Sequence, residues 1–289
     1  MRFTKSHGAG NDFVLIEDLD DRLQPNAAFV AAVCDRHFGV GGDGLIRIVR
    51  ARNADYFMDY YNADGDVAEM CGNGIRTLAK YVADRGIHAS DTMRVDTRAG
   101  VKDITVFRGD DGLVNRARVD MGAPILERAA IPMAGEGDPQ RESIAAGGQT
   151  VDATCVSMGN PHCIVWVDEI PVDGFEALGR AIETSDRFPA RTNVEFTKVL
   201  NDHEVRVRVW ERGVGETLAC GTGACATAVA ASLRGFTGRS VAVHLPGGTL
   251  DVEWAPDGRV FMTGPAEESF EGDLRAHIAS LLPQTTTKG

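Results

Sequence analysis

Several things are missing from these 289 residues, and each absence closes off a class of function. Basic charge is in deficit: 30 Lys and Arg stand against 42 Asp and Glu, giving a net charge of −12 and a pI near 5.0. Such a surface is a poor electrostatic match for nucleic acid or an anionic membrane. No apolar run approaches the roughly 18 residues that a membrane span needs, and the opening Met1-Arg2-Phe3-Thr4-Lys5-Ser6-His7-Gly8 has no apolar signal core. The chain therefore reads as cytoplasmic. There is no Gly-Lys-Ser/Thr phosphate loop, and no low-complexity tract before Thr285-Thr286-Thr287-Lys288-Gly289. Zinc is disfavoured too: Cys220, Cys225 and His162 are candidate ligands, but no second close cysteine pair completes a site. No metal and no cofactor are expected.

Six cysteines are present. An even count in a short secreted chain would suggest disulfides, but a chain of this size with no signal is expected to keep reduced thiols. Cys34, Cys155, Cys163 and Cys225 lie in apolar surroundings and read as core residues. The other two carry the main signal. Cys71-Gly72-Asn73-Gly74 and Cys220-Gly221-Thr222-Gly223 each open a helical pattern that closes on Arg-Gly, at Arg85-Gly86 and Arg234-Gly235. All of these positions are 149 residues apart, and Gly10-Asn11 falls on Gly159-Asn160 at the same offset, as Tyr61-Asn62 falls on Trp210-Glu211. A duplicated unit is implied, with the breaker-rich loop Gly135-Glu136-Gly137-Asp138-Pro139-Gln140 near its joint.

The elements around these points repeat as well. Asp12 to Ile16 and His162 to Val167 read as strands after a Gly-Asn turn, and Tyr56 to Tyr61 and Val205 to Trp210 as strands leading into the two helices. Val205, Val207 and Val209 alternate with charged residues, the period-two pattern of a half-buried antiparallel strand. The helix from Ala224 to Ala231 is apolar all round and should be enclosed, while its counterpart shows Ile75, Leu78, Ala79 and Val82 on one face. A sheet wrapped around a central helix satisfies both patterns. Gly39-Val40-Gly41-Gly42-Asp43-Gly44 spells a dinucleotide fingerprint, but a helical segment, Ala27 to His37, precedes it and a strand, Leu45 to Val49, follows. The fingerprint needs the opposite order, so the segment reads as a loop.

A thiol at a helix N-terminus meets the positive end of the macrodipole, which favours the thiolate. Flanking glycines leave the first backbone N–H groups open to a carboxylate. One such turn would pass for a helix start with a buried cysteine. Two in register point to paired acid and base thiols.

Six stretches carry a family resemblance: His7 to Phe13, Asn62 to Gly65, Glu69 to Gly74, Met158 to His162, Arg191 to Phe196, and Trp210 to Gly223. Together they resemble diaminopimelate epimerase. The resemblance implies an α+β fold of two pseudo-symmetric domains, each a barrel-like, mostly antiparallel sheet around a central helix, with the active site in the interdomain cleft. It implies a cofactor-independent epimerase acting on diaminopimelate, in lysine and cell-wall precursor synthesis. Cys71 and Cys220 would be the two catalytic bases. Asn11, Asn62, Gly72, Asn73, Asn160, Asn193, Glu211, Arg212, Gly221 and Thr222 would bind substrate, with His162 and Glu211 tuning the thiols. The expected partners are a small amino-acid substrate and, as a homodimer, a second copy of the chain. Domain limits are expected at 1–122 and 123–266, with a C-terminal helix over about 267–289 packing on the first domain.

Two positions depart from the family pattern, Gly44 where relatives often carry glutamine and Thr77 where they often carry cysteine. Proline and hydroxyproline racemases, the rivals with the same chemistry, resemble Cys-Gly-His at the first cysteine, unlike Cys71-Gly72-Asn73. A thiol switch without turnover is the rival from another class, and it shares the expectation that oxidation pairs Cys71 with Cys220.

Overall fold

The computed structural model describes residues 1–283. The chain divides into two compact units, one formed by Met1–Val119 with the segment that begins at Pro265, the other by Asp120–Gly264. In the first, β1 (Arg2–Gly8) and β2 (Asn11–Glu17) form a hairpin, followed by α1 (Ala27–Cys34), β3 (Gly44–Arg50), β4 (Tyr56–Asn62), α2 (Gly72–Asp84), β5 (Thr92–Asp96), β6 (Lys102–Arg108) and β7 (Val114–Gly122). The hairpin turn is Ala9-Gly10, both at positive φ (54° and 79°). That is the backbone sense matching strand twist, and it delivers Asn11 to the start of β2.

The second unit runs β8 (Glu142–Ala146), β9 (Gln149–Ser157), β10 (Pro161–Trp166), α3 (Phe175–Glu183), β11 (Asn193–Asn201), β12 (Glu204–Glu211), β13 (Gly215–Thr217), α4 (Gly221–Leu233), β14 (Ser240–Leu245), β15 (Gly248–Trp254) and β16 (Val260–Pro265). The repeat read from the cysteines extends to strand register. Phe13 pairs with Gly44 across parallel β2 and β3, and His162 pairs with Asn193 across parallel β10 and β11. Leu45 opposite Tyr61 matches Val194 opposite Trp210 in the antiparallel pairs that follow. Both members of each match are 149 residues apart.

Each sheet wraps its helix. α2 packs on the paired strands β1, β2 and β3 and also on β6, and α4 packs on the paired strands β9, β10 and β11 and on the pair β14 and β15. α4 is buried from Gly223 through Ala231, as its alanine-rich sequence demands. α2 departs from the amphipathic reading: its polar side is enclosed too. Arg76 is fully buried and donates to Gly72 O (3.0 Å), Asn73 Oδ1 (3.0 Å) and Pro265 O (3.1 Å). Lys80, also buried, donates to Asp84 Oδ2 at 2.7 Å and to Val114 O at 2.6 Å. A buried cation persists only when paired in this way. Both helices stop at a left-handed glycine, Gly86 (φ 67°) and Gly235 (φ 72°), the cap that Arg-Gly announces.

The helix expected over 267–289 is corrected. Glu267–Asp273 is a strand, β17, antiparallel to β1 with Arg2 opposite Asp273, and only a single turn, α5 (Ala276–Ala279), follows. Residues 284–289 of that expected helix lie outside the described residues. The reason is long-range: in the second unit the edge of β9 is covered by β8, its neighbour in sequence, whereas the matching edge of β1 pairs with β17. The chain's far end fills that place, fastened by Arg85 to Glu268 (2.5 Å) and by Arg2 and Arg85 to Glu271. Among the described residues, no helix is long and apolar enough to cross a membrane.

Candidate active site

Each cysteine is the N-cap of its unit's central helix. Cys71 is extended (φ −134°, ψ 118°), and its sulfur accepts from the Gly74 N–H at 3.5 Å; Cys220 (φ −122°, ψ 113°) accepts from the Gly223 N–H at 3.4 Å. The glycine two residues after the cap's neighbour is what lets the turn sit close to the sheet. A Cβ on Gly74 would lie 2.7 Å from Ile46 Cδ1, and one on Gly223 would lie 2.6 Å from Glu195 Oε1. The N–H groups of the first helical turn have no partners within the helix, so both turns present donors for an anion.

In the first unit a polar network fixes the approach to Cys71. The Cys71 thiol donates to Asn11 Oδ1 (3.5 Å), which also accepts from Asn73 Nδ2 (3.1 Å). Asn11 Nδ2 donates to Asp43 Oδ2 at 2.7 Å, and a carboxylate accepts only, so the amide is oriented with its oxygen toward the sulfur. Asp43 is in turn held by Arg36 at 2.7 Å, and Arg36 also grips Asp12. Burial pushes Asp12 up, but the Arg36 and Lys5 cations outweigh it and hold the carboxyl down at about 2. Gly8 is required by the same crowding, since its Cβ would meet Arg76 Nη2 at 2.9 Å.

Asn62 ends β4 directly opposite Gly44 and is exposed. The departure at position 44 has a packing cause. A Cβ there would lie 2.6 Å from Tyr60 Cε2, so the Tyr60 ring occupies the room that a longer residue would need.

In the second unit Cys220 lies near Thr222 Oγ1 (3.5 Å), which accepts from Asn160 Nδ2 at 3.3 Å. Asn160 Oδ1 meets His162 Nε2 at 3.0 Å, and His162 Nδ1 meets Glu195 Oε1 at 2.7 Å. Glu211 Oε1 accepts from the Thr217 hydroxyl at 2.6 Å. Asn193 bridges Pro161 O (2.9 Å) and the Arg212 N–H (2.9 Å), so both ends of its amide hold the protein itself. It thereby positions Arg212, whose guanidinium donates to Ala190 O at 3.2 Å.

The helix N-terminus was expected to favour the thiolate, and at Cys220 it is outweighed. Burial pushes the thiol well above its ordinary value, with the Glu211 and Glu195 carboxylates adding to the rise; Thr222 and the Gly223 N–H oppose it but do not prevail. Cys220 is therefore a thiol at neutral pH, suited to giving a proton.

Asn11, Cys71, Gly72 and Asn73 thus gather at one helix start, and Asn160, His162, Glu211, Cys220, Gly221 and Thr222 at the other. Sequence reasoning missed two residues. Arg76 looked like part of a polar face. Glu195 carried a signal, a lone acid between Val194 and Phe196 in a strand whose neighbours are all buried. Cys34, Cys155, Cys163 and Cys225 are buried, as expected of core thiols.

The diaminopimelate epimerase family profile matches residues 3–127 and 154–268. The chain belongs to the diaminopimelate epimerase family. Curated relatives agree along almost the whole length. The diaminopimelate epimerase of Pelotomaculum thermopropionicum is 50% identical over 278 residues, covering 94% of this chain and 98% of that one. That of Moorella thermoacetica is 50% identical over 278 residues, covering 95% and 99%. The fold extends more widely. A probable proline racemase from Agrobacterium radiobacter has a TM-score of 0.69 at 14% identity, covering 95% of this chain and 93% of its own. A Bacillus anthracis phenazine biosynthesis protein of the PhzF family has a TM-score of 0.66 at 15% identity, covering 94% and 98%. Diaminopimelate epimerases are isomerases, and membership of the family makes this chain one. The α+β architecture of two repeated units, each a sheet around a helix, is the architecture of that wider group.

Proposed function

We propose that the protein interconverts LL- and meso-diaminopimelate by a two-base transfer in which Cys71 and Cys220 act on opposite faces of one Cα. The observation that carries this reading is the matched pair of thiols, each capping the N-terminus of its unit's central helix. One cysteine, as thiolate, removes the Cα hydrogen while the other, as thiol, delivers a proton to the opposite face; the reverse reaction exchanges the roles. Inversion follows from delivery to the face opposite to removal. The carbanion needs no cofactor in this scheme, because the substrate's own ammonium and the N–H groups at Gly72-Asn73 and Gly221-Thr222 stabilise charge at the α-carboxylate. Burial and the two acidic neighbours of Cys220 suit it to the donating role.

The distal end of the substrate carries a second ammonium and carboxylate. Asn11, Asn62, Asn160, Asn193, Glu211 and Arg212 supply amide and charged partners of the kinds these groups need. His162 tunes the second thiol through Asn160. The physiological setting, lysine and cell-wall precursor synthesis by a cytoplasmic homodimer, is part of the same proposal and rests on the resemblance. Light scattering on the purified protein tests the dimer: a mass of one chain would end that part.

Single substitutions test the chemistry. Cys71→Ser and Cys220→Ser should each lower turnover of LL-diaminopimelate by about two to four orders of magnitude, the range for loss of a positioned acid or base. Wild-type turnover in either folded variant would remove that cysteine from the mechanism.

A further inference from the structure

The two half-sites differ beneath their helices, although their strands share one register. In the first unit, a Cβ on Gly74 would meet only hydrocarbon: Ile46 Cδ1 at 2.7 Å, Met58 Cε at 3.2 Å and Phe13 Cζ at 3.5 Å. The residues 149 further on from Phe13 and Ile46 are His162 and Glu195, both with no exposed surface. Hydrocarbon serves for packing at one turn, so packing alone does not call for a buried acid and imidazole at the other. A carboxyl in such a place is costly unless something holds it, and Glu195 Oε2 has no hydrogen-bond partner among the described residues.

What Glu195 does reach is the far end of a connected arm. From the sulfur, the arm runs through Thr222 Oγ1 (3.5 Å), Asn160 (3.3 Å) and His162 (3.0 Å) to Glu195 Oε1 (2.7 Å). The directions of these bonds depend on one another. Asn160 Oδ1 can only accept, so His162 Nε2 carries a hydrogen, and the 2.7 Å contact at Nδ1 then requires a second hydrogen shared with Glu195 Oε1. Asn160 Nδ2 then donates to Thr222 Oγ1, and the Thr222 hydroxyl hydrogen is left to point at Cys220. The first unit shows the same device with opposite polarity: Asp43 orients Asn11 so that an acceptor, Oδ1, faces Cys71.

We propose that Glu195 is a positioning residue: by sharing a second hydrogen with His162 Nδ1, it keeps Nε2 a donor and, through Asn160, aims the Thr222 hydroxyl at the Cys220 sulfur. When Cys220 gives up its proton, its thiolate is met by two donors, the Thr222 O–H and the Gly223 N–H. The charged and titratable groups facing Cys220 are Glu195 from β11, His162 from β10 and Glu211 from β12. This role rests on the epimerase reading of the site.

The test uses the whole chain labelled with 15N-histidine, with the His162 signals assigned by their loss in His162→Asn. In the wild type at neutral pH, the His162 ring should carry hydrogen on Nε2. Glu195→Ile, which copies the floor of the first unit, should release that constraint, so that the ring also populates the tautomer with its hydrogen on Nδ1. The same variant should lower kcat for LL-diaminopimelate about tenfold with KM nearly unchanged, while Glu195→Gln, which can still donate to Nδ1, should restore most of the activity. A bare Nε2 in the wild type overturns the proposal even if Glu195→Ile fails to fold. So does a folded Glu195→Ile protein with wild-type kcat. The NMR experiment needs no substrate, so a wild type that fails to turn over diaminopimelate would refute the epimerase reading and leave the His162 result standing.

Discussion

The glycines at the third position of the two helices offer a matched perturbation, Gly74→Ala against Gly223→Ala. Geometrically the insults are nearly equal, because the new methyl would lie 2.7 Å from Ile46 Cδ1 in one case and 2.6 Å from Glu195 Oε1 in the other. They differ in what must give way. Ile46 Cδ1 and Met58 Cε are ends of flexible apolar chains, and their displacement costs about 1 kcal/mol, at the low end for overpacking. Replacing a helical glycine returns about 0.5–1 kcal/mol, so Gly74→Ala should be nearly neutral. At Gly223 the methyl displaces a carboxyl bound to His162 at 2.7 Å. Losing that charge-assisted bond costs about 1.5–3 kcal/mol, and overpacking adds about 1–3 kcal/mol. After the same helix gain, a net loss of about 2–5 kcal/mol remains. Urea denaturation of the two variants at neutral pH measures the difference. Equal stabilities would refute the reasoning, because the floors of the two helices would then be equally compliant.

Three further outcomes follow from the same contacts. Arg76→Met should cost about 3 kcal/mol in urea denaturation, because it removes the buried guanidinium that donates to Gly72 O, Asn73 Oδ1 and Pro265 O; a loss below about 1 kcal/mol would show that water replaces it. Asp12, held down at about 2 against an ordinary 3.8, contributes stability that is present above its unfolded value and lost as pH falls through the folded one. The contribution is about 2 kcal/mol at neutral pH, with about half left near pH 3. Accordingly, the stability gap between wild type and Asp12→Asn should narrow below about pH 4, and a gap independent of pH would contradict the assignment. Burial, helped by Asp12 and Asp43, pushes the Cys34 thiol up to about 12. Its thiolate fraction at pH 8 is then on the order of 1 in 10,000, so alkylation followed by peptide mass mapping should find Cys34 unlabelled in the native protein and labelled after denaturation.

Sequence reveals the parts of this molecule that local chemistry decides. Cys-Gly-x-Gly and Arg-Gly bound α2 and α4 because a cap and a left-handed glycine are properties of adjacent residues. The 149-residue offset extends from those motifs to strand pairings because register is set by the same turns. β17 was misread because its partner, β1, is at the other end of the chain, and nothing within Glu267–Asp273 announces that pairing. Arg76 and Lys80 fall outside the apolar face of α2, and helical periodicity cannot show that a sheet closes over both faces. Asn193 is assigned to substrate binding by the resemblance, and what only the fold shows is that its amide also links Pro161 O to the Arg212 N–H. The helix dipole at Cys220 was legible, whereas the burial that overrules it, and the carboxylates of Glu211 and Glu195 that β12 and β11 bring up to the thiol, appear only in the fold.

The central claim is a proton exchange at Cα with inversion, and it is tested most directly by proton NMR of LL-diaminopimelate with the reduced protein in deuterated water. The two-base account predicts that the first meso product carries one deuterium at the inverted carbon while unreacted LL substrate keeps its hydrogen. No exchange and no meso isomer, from a folded protein with free thiols, would contradict it.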